Sequence, residues 1–567
     1  MASLTPHTGL LGKRLAKHLL RRSTFNVSKE RIEEYSAYTP AQAIEKLSVI
    51  PEKNLKQPIH YVNDELTVPS PWIDDDAVFG PANVNTGSGN GKLRYYVVSW
   101  WLDEAKRDTS YRSKMAYFLH TDFTLSSLNL NGHFGSFYDY LRLLEVFCLG
   151  DWKEFVFQIT KNPQMLNYLN NNQNTVKNPN ENYAREILEL FTIGKGPQVG
   201  VGDYTNYTES DVEEAARVLT GWKYHYINSV KYPDKDRYLV ANGSEYGNIP
   251  CGYITTRNHD FGRKEFSHRF GNYVIEEWDT NNKTEAQKQA RVEAELKEFI
   301  EMVLSKDETA KFICRKLYRF FVSRKITTEI ENDIIAPLAS TFRINYNLKE
   351  VIDQLFLSQH FYDLDDSNNT DEIIGGIIKS PIDLVLQTLT ITDYPVPDPI
   401  SHGEHHYDNF YYRQVLLKFL LPASQDPFNP PSVAGFPPNY ENPDYDKFWF
   451  NSSTIIPRYN LADILLHSNR TKVNFLITKF VEDNVSDPYD ASKIVSELVA
   501  IMFPEDIDTS RMSYFLNDIL LEGGETTQQM WADEWHAYKN SGNNAGVESV
   551  LKPFFRALLW SQEFQNN

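Results

Sequence analysis

The sequence predicts a mainly α-helical protein, in which a large multi-helix body carries a small β-hairpin-like insertion and a long wrapping segment rich in proline and aromatic residues. Apolar residues recur at helical spacing over most of the chain, and capping residues precede many of these runs. The patches of alternating residues that are typical of strands fall near residues 222–275. Of the 567 residues, 41% are hydrophobic and 13% are aromatic, which is enough for a large core.

The predicted helices follow one another along the chain, interrupted by a Pro- and Gly-rich loop at residues 69–92. Before the insertion they cover residues 28–48, 93–106, 111–120, 136–148, 151–160, 178–194 and 208–221. After it they cover residues 284–303, 307–323, 347–358, 381–391, 460–467, 471–481, 490–502, 509–521, 526–539 and 547–560. We therefore expect a largely continuous helical chain.

Composition shifts divide the chain into five parts that we expect to form one compact body. These are an N-terminal helical part (1–221), the β-like insertion (222–275), a central helical part (276–394), the Pro- and aromatic-rich wrap (395–458) and a C-terminal helical part (459–567). The wrap is long for a connection in a compact protein, and such segments are often functional or lie across the surface.

The formal net charge of −19 argues against nucleic acid as a partner, because binding a phosphate backbone requires clustered positive charge. Three cysteines, Cys148, Cys251 and Cys314, are too sparse for a disulfide framework, and no CxxC motif indicates zinc. We expect them to be buried thiols. No apolar run is long enough to span a membrane, and the first residues lack the pattern of a signal peptide. A cytosolic protein and an exported one whose signal has been removed both stay open.

The segment NPNENYAREILELFTIG, residues 178–194, carries the densest set of charged residues before an apolar run. Asn178 fits a helix N-cap, Pro179 the first helical position and Glu181 the third, which together resemble a capping box. Gly194 fits the left-handed C-terminal position. Local rules for helix ends therefore explain much of this motif, and Thr208, Asp211 and Gly221 repeat the pattern in the next predicted helix.

The polar face of that helix supports two interpretations. Asn182, Arg185, Glu186 and Glu189 share one side at 3.6-residue spacing. They can form a wet polar face with an Arg185–Glu189 pair. Alternatively they line a cleft, where a carboxylate beside an arginine acts as a base, a metal ligand or a substrate clamp.

Two histidine–aspartate pairs are further candidates. His120 and Asp122 follow an apolar helix and are two residues apart, so both could ligate a divalent metal ion; alternatively His120 caps the helix, its positive charge favoured by the helix dipole. His259 and Asp260 form an HD pair in a loop, but the companion ligands of metal phosphohydrolases are missing, and a hydrogen-bonded turn is the other interpretation.

Four arginines on apolar helix faces need acidic partners, and Glu186 and Glu189 are candidates for that role. They are Arg21, Arg22, Arg315 and Arg319. The tract SHGEHHYDNF, with His402, His405 and His406, suits an adventitious metal site or simple loop polarity. The segment PFNPPSVAGFPP, residues 427–438, suits either a docking rim for a carbohydrate or peptide, or a rigid wrap over the helical body.

Several segments in the same order resemble the bacterial family catalogued as domain of unknown function 1800. They are HLLRRSTF (18–25), RSKMAYFLHTDF (112–123), NPNENYAREILELFTIG, YTESDVEEAARVLTGW (207–222), HDFGRKEF (259–266), AKFICRKLYRFFV (310–322), PFNPPSVAGFPP and LLWSQEF (558–564). Two positions depart from the family. Where family members read HxHF, this chain has His120-Thr121-Asp122-Phe123, and where they read VAGW, this chain has Phe436 in place of the final tryptophan. The first departure puts a metal role of the second histidine in doubt, although aspartate can replace histidine as a ligand.

The resemblance implies a mostly helical bacterial protein that is often exported, which favours an extracytoplasmic or envelope-associated location. It also implies a genomic neighbour, and thus a candidate partner, from the family catalogued as domain of unknown function 1501. It implies no reaction. Two hypotheses follow: a non-catalytic binding or assembly protein, which we favour slightly because capping rules explain the strongest motif, and a hydrolase with a metal or acid–base site built from His120, Asp122, Glu186 and His259. The hydrolase hypothesis predicts that these side chains converge, and the binding hypothesis predicts exposed aromatic residues near 427–449.

Overall fold

A computed structural model of the protein describes residues 2–49, 59–60, 70–71, 90–128, 134–224, 251–365, 373–403, 405–439, 446–466, 473 and 475–567. The chain is mainly helical, as predicted. Within the described residues, no helix combines the length and the apolarity that crossing a lipid bilayer requires.

The described helices before residue 305 follow one another in chain order. They are α1 (Gly12–Ser23), α2 (Lys29–Ser36), α3 (Pro40–Ser48), α4 (Asn90–Arg107), α5 (Arg112–Asp122), α6 (Phe134–Phe147), α7 (Trp152–Thr160), α8 (Pro163–Tyr168), α9 (Asn182–Glu186), α10 (Glu209–Val218) and α11 (Glu285–Leu304). Short 3₁₀ turns at Asn171–Gln173, Thr256–Asn258 and His268–Phe270 lie between them.

The helices after residue 305 complete the body. They are α12 (Asp307–Phe321), α13 (Thr328–Ile330), α14 (Ala336–Asn345), α15 (Leu348–Leu357), α16 (Pro381–Ile391), α17 (Ile455–Leu466), α18 (Ile477–Asn484), α19 (Ala491–Met502), α20 (Thr509–Ser513), α21 (Gln528–Ser541), α22 (Ala545–Trp560) and α23 (Gln562–Gln565). Further 3₁₀ turns are Pro437–Asn439, Lys447–Trp449 and Glu522–Gly524.

In the part of the chain that the structure describes, four segments are π-helical, with wider turns than an α-helix. They are Ile187–Thr192, Glu331–Ile335, His405–Leu420 and Tyr514–Leu520. The longest of them lies inside the segment 395–458, for which the sequence suggested mainly loop. The expectation of a loop there was wrong, because Phe410, Val415 and Phe419 bury an apolar face that the many prolines on either side obscure in the sequence.

The described strands form antiparallel pairs of two or three residues each. They are β1 (Ile59–His60) with β2 (Ser70–Pro71), β3 (Gln198–Gly200) with β4 (Asp203–Tyr204), β5 (Trp222–Lys223) with β6 (Tyr253–Ile254) and β7 (Lys264–Glu265) with β8 (Val274–Ile275). The last two pairs lie where the sequence predicts hairpins, although residues 225–250 lie outside the described residues. Ser70 and Pro71 belong to the stretch predicted as loop.

The helix boundaries show where local signals hold. Ser28 caps α2 as expected, but the predicted helix 28–48 is two helices, because Thr39 opens a capping box and Pro40 begins α3. In the motif 178–194 the helix begins at Asn182 instead of Pro179, and its N-cap, Glu181, makes no side-chain cap. Asn178 instead lies in a turn, where its N–H donates to the carbonyl of Thr175 at 3.0 Å.

Aromatic residues of the Pro-rich segment pack into the helical body. The ring of Phe428 lies 4.8 Å from that of Trp101, 5.6 Å from that of Phe137 and 4.8 Å from that of His120. Phe428 and Phe436 are 1% and 2% exposed. PFNPPSVAGFPP had two interpretations, a docking rim and a wrap. These contacts favour the wrap, which completes the core of the helical body.

Candidate functional site

The polar face of α9 is built largely from mutual ion pairs. Arg185 donates two hydrogen bonds to Glu209, at 2.9 and 2.7 Å, and a third to Glu181 at 3.2 Å. Tyr204, on β4, donates to the same Glu209 at 3.2 Å. The predicted pairing of Arg185 with Glu189 is replaced by this longer-range pair, because α10 begins beside α9 and brings Glu209 within reach of the guanidinium.

Glu189 has its own partners on the same surface. Lys195 lies 3.3 Å from its carboxylate, and the Tyr207 hydroxyl donates to it at 3.0 Å. Asn182 points elsewhere, since its side-chain amide donates to the carbonyl of Leu169 at 3.1 Å. Most of this face is therefore a structural network that joins α9 to the β3–β4 hairpin and α10.

Glu186 is the exception on this face. Its side chain is half-buried, and within the described residues it makes no hydrogen bond or ion pair. Burial and the neighbouring negative charge of Glu189 raise its pKa to about 7, although Arg185 and Lys195 oppose this shift. A carboxyl group that exchanges a proton near neutral pH suits general acid–base chemistry.

His120 is fully buried at the end of α5. Its Nδ1 lies 2.8 Å from the Tyr140 hydroxyl, and that hydroxyl donates to the carbonyl of Phe123 at 2.8 Å. Nδ1 therefore carries the proton that is shared with Tyr140, and Nε2 is a buried acceptor with no partner in the described part of the chain. Burial lowers the pKa of His120 to about 3 and its Nδ1 contacts Tyr140, which argues against the alternative of a charged helix cap.

Asp122 is an ion-pair partner within the fold. It accepts a hydrogen bond from Lys316 of α12, and the same ammonium group donates to the carbonyl of Leu190, which ties α5 and α12 to the π-helical continuation of α9. Burial raises the pKa of Asp122 to about 6, against the lowering effect of Lys316. Its second carboxylate oxygen is buried and has no partner among the described residues.

His259 lies in a separate buried cluster around Glu295 of α11. The His259 Nδ1 lies 2.9 Å from the carbonyl of Thr220, and Nε2 lies 3.2 Å from Glu295. Lys264 donates to Glu295 at 2.8 Å, and Arg291 donates to the same carboxylate at 3.1 Å. Burial raises the pKa of Glu295, but His259 and Lys264 outweigh burial and hold this pKa below its usual value. The cluster fixes β7 to α11.

Asp260 closes the turn after His259, as its alternative interpretation predicted. It accepts a hydrogen bond from Arg217 at 2.7 Å and one from the N–H of Gly262 at 2.8 Å. Burial favours the neutral acid, but these two donors outweigh it and lower the pKa of Asp260. The side chain therefore serves as an anionic anchor between the turn and α10.

The contacts of the candidate residues fall into separate sets. No hydrogen bond or ion pair in the described structure joins His120, Glu186 and His259, and Asp122 approaches α9 only through Lys316. Across the described residues, no three His, Cys, Asp or Glu side chains are grouped as a metal ion requires. Arg185, Glu186 and Glu189 share one face simply because they share one helix.

The arginines have partners other than those expected. Arg315 binds Glu308 and Glu331, each at 2.6 Å, while Arg21 and Arg22 donate to the backbone carbonyls of Met502 and Ile373. Glu186 and Glu189 are partners of none of these three, so that expectation was wrong. The partners come from residues that are distant in the sequence, which spacing alone does not reveal.

The remaining sequence candidates are placed as follows. His406 is buried and lies 2.6 Å from the carbonyl of Pro397, while the rings of His402 and His405 are 6.3 Å apart. Trp449 is 4% exposed, so most described aromatic residues near 427–449 are buried, with Phe448 exposed. Cys148 and Cys314 are buried, but Cys251 is exposed, contrary to expectation.

A groove that the sequence did not predict lies between the π-helical segment Tyr514–Leu520 and the end of α22. It consists of two adjoining hollows of about 570 and 540 Å³, which share Arg511, Trp560 and Ser561. Trp560 is 39% exposed and Tyr514 41%. The sequence signal that points here is LLWSQEF, residues 558–564, which forms one wall of the groove and echoes LFLSQHF at residues 355–361.

An ion pair and a stacked aromatic pair hold the walls of the groove. Arg511 binds Glu563 through two hydrogen bonds of 2.9 and 3.3 Å, and its guanidinium lies 5.1 Å from the centre of the Tyr514 ring. Trp560 stacks on Tyr459 with ring centres 5.3 Å apart and donates to the Tyr459 carbonyl at 2.8 Å. The aromatic faces are therefore held in place before any ligand binds.

The chain belongs to the family described as "Protein of unknown function (DUF1800)", whose model matches residues 18–566. The resemblance found in the sequence motifs is thus confirmed over nearly the whole chain. No curated protein matches the chain, and no solved structure matches it.

Proposed function

We propose that this protein is a non-catalytic binding or assembly protein, and that the groove beside α22 binds a segment of a partner protein. The observation that carries the proposal is the pair of exposed aromatic side chains, Trp560 and Tyr514, on the walls of a preformed groove. Aromatic residues with an apolar face and a fixed rotamer are the usual anchors of protein–protein recognition.

The charge of the groove specifies the chemistry of the segment. Five acidic side chains and two arginines line the two hollows. They are Asp506, Asp508, Asp518, Glu522, Glu563, Arg511 and Arg556. Both arginines are already paired, Arg511 with Glu563 and Arg556 with Asp463. A segment that carries lysine or arginine beside apolar side chains complements this lining.

The family resemblance suggests the partner to test first, a protein of the domain of unknown function 1501 family. Purified partner would be titrated by calorimetry into the wild type and into Tyr514→Ala and Asp518→Lys. Asp518 is exposed and makes no hydrogen bond or ion pair in the described structure, so its reversal changes charge with little effect on folding. We expect each variant to weaken binding about tenfold or more.

Glu293→Lys is the matched control, because Glu293 is an equally exposed acid on α11 that lies outside the groove. A photo-crosslinking residue at position 514 should capture the partner, whereas the same residue at Met530, which is 53% exposed outside the groove, should not. Partner binding that is equal in wild type, Tyr514→Ala and Asp518→Lys would contradict the proposal.

A second candidate, a hydrolase, is favoured by one observation: the half-buried Glu186 has no partner among the described residues and a pKa near 7. Elemental mass spectrometry of the wild type, Glu186→Ala and His259→Ala tests the metal-dependent form of this candidate. Stoichiometric metal in the wild type that is lost in both variants would place the two residues in one site. Its absence, with variants that are merely less stable, would leave both residues with structural roles.

A further inference from the structure

A cluster of buried cations lies where α1, α5, α16 and α17 meet the C-terminal segment. Its five members are Arg21, Arg22, Lys114, Lys379 and Arg458, each at most 3% exposed. Burial of a charge is costly unless an opposite charge or several hydrogen bonds offset it. Groups that offset the buried positive charge of these side chains are therefore expected close by.

Two carboxylates lie nearby, and both already have partners. Asp383 forms an ion pair with Lys114 and accepts a hydrogen bond from the hydroxyl of Ser380, the N-cap residue of α16. Its negative charge also opposes the lowering of the pKa of Lys379 and Arg458 by burial. Asp446 accepts a hydrogen bond from the N–H of Ile378 at 2.7 Å and lies 3.7 Å from Arg324. In the described structure, Arg21, Lys379 and Arg458 form no ion pair.

These three cations meet neutral oxygens instead. Arg21 donates to the carbonyl of Met502 at 2.6 Å, Lys379 to that of Phe564 at 2.6 Å, and Arg458 to the side-chain oxygen of Gln565 at 2.7 Å. Lys379 and Arg458 thus both contact α23, at adjacent residues. After burial, the positive charges of Arg21 and Arg458 also contribute to lowering the pKa of Lys379, while the negative charge of Asp383 opposes this, so Lys379 lies within electrostatic reach of both arginines.

Several N–H groups of the same side chains have no acceptor. Nε and Nη1 of Arg21 and Nη2 of Arg458 are buried and donate to no described group. Buried donors in proteins are almost always satisfied. Burial lowers the pKa of Arg21 and Arg458 to about 9, so both remain charged at neutral pH. These two buried side chains therefore combine a positive charge with N–H groups that have no acceptor in the described structure.

We propose that Arg21, Lys379 and Arg458 bind a small oxyanion of the phosphate or sulfate class, which serves as a structural ligand of the fold. Guanidinium groups present N–H donors in a planar fork that matches the oxygens of such anions, and the lysine ammonium adds a point charge. The site is distinct from the groove and does not depend on the proposed binding function. Its ligand would join α1, the residues just before α16, and α17, and Lys379 and Arg458 also contact α23.

The test uses the full chain. Purified protein is exchanged into chloride buffer and unfolded in guanidinium, and the released anions are measured by ion chromatography. We expect about one equivalent of phosphate or sulfate per chain. The melting temperature is then measured in phosphate and in chloride at equal ionic strength, and phosphate should raise it by several degrees.

Lys379→Met should abolish both the released anion and the effect of phosphate on melting. Lys539→Met removes an exposed lysine that pairs with Glu482 and should change neither. Wild-type protein that releases no oxyanion and melts equally in both salts would overturn the proposal, and so would Lys379→Met protein that retains the anion. Because the wild-type measurements stand alone, the test does not depend on the folding of the variant.

Discussion

Two buried clusters of three basic side chains differ in what lies at their centre. Lys264, Arg291 and His259 surround the carboxylate of Glu295. Arg21, Lys379 and Arg458 meet only carbonyl and amide oxygens. The first cluster has a carboxylate in direct contact with its cations, whereas in the described structure no carboxylate forms an ion pair with the three cations of the second, for which we propose a bound oxyanion.

The largest effect is expected from removing the internal counterion. Glu295→Gln leaves Lys264 buried without its partner, so we expect the free energy of unfolding to fall by about 3–5 kcal/mol. Guanidinium denaturation followed by circular dichroism measures it. Glu298→Gln, which alters a partly exposed partner of the same Arg291, should cost about 1 kcal/mol or less. Equal losses of unfolding free energy in the two variants would show that the buried carboxylate of Glu295 contributes no more to stability than the partly exposed one of Glu298.

The reverse change should make the second cluster resemble the first. Gln565→Glu places a carboxylate against Arg458 and loses one hydrogen bond, from the side-chain amide to the carbonyl of Leu559. In phosphate-free buffer we expect a gain of about 1–2 kcal/mol, because a hydrogen bond to a charged group is stronger than a neutral one. Thermal melting measures it, and Gln529→Glu on the surface is the control. A loss of stability in Gln565→Glu would argue against a missing counterion.

Glu186 tests the same idea at a half-buried position. Its folded-state pKa of about 7 is raised above its unfolded value, so the folded chain binds the extra proton, and stability falls as pH rises toward 7. Glu186→Gln should remove that fall and stabilise the protein at pH 8 by about 1 kcal/mol, a value discounted because the group is partly exposed to solvent. Denaturation at pH 5 and pH 8 measures it, with Glu293→Gln, which alters an exposed acid on α11, as control. A wild-type stability that is unchanged between the two pH values would contradict this.

The smallest effect is expected on the exposed network of α9. Arg185→Met removes the pair with Glu209, both members of which are about one-third exposed. We expect a loss of about 0.5 kcal/mol that disappears in molar salt, because exposed ion pairs are weak and screened. Chemical denaturation at low and high salt measures it. A loss as large as that of Glu295→Gln would show that burial does not govern the difference between the clusters.

The sequence by itself determined the helical class, the family and many helix ends. Ser28 caps α2, Thr208 forms a capping box with Asp211, and Gly194 adopts a left-handed φ of 74°, as local rules predict. A side chain at Gly194 would lie 2.6 Å from the Phe312 ring, so tertiary packing reinforces that choice. These features depend on residues within one helical turn of each other, and for that reason the sequence pattern predicts them.

Tertiary structure alone decided the partners of the charged residues. Arg185 pairs with Glu209 and not with Glu189, and Asp122 pairs with Lys316. Lys264 pairs with Glu295, which lies 31 residues away in the sequence. A helix pattern gives the face on which a side chain lies, but the element that packs against that face depends on the whole fold. The sequence therefore named the charged residues, while packing decided which became ion pairs and that the half-buried Glu186 stayed without a partner in the described structure. Packing also decided where the groove and the buried basic cluster formed.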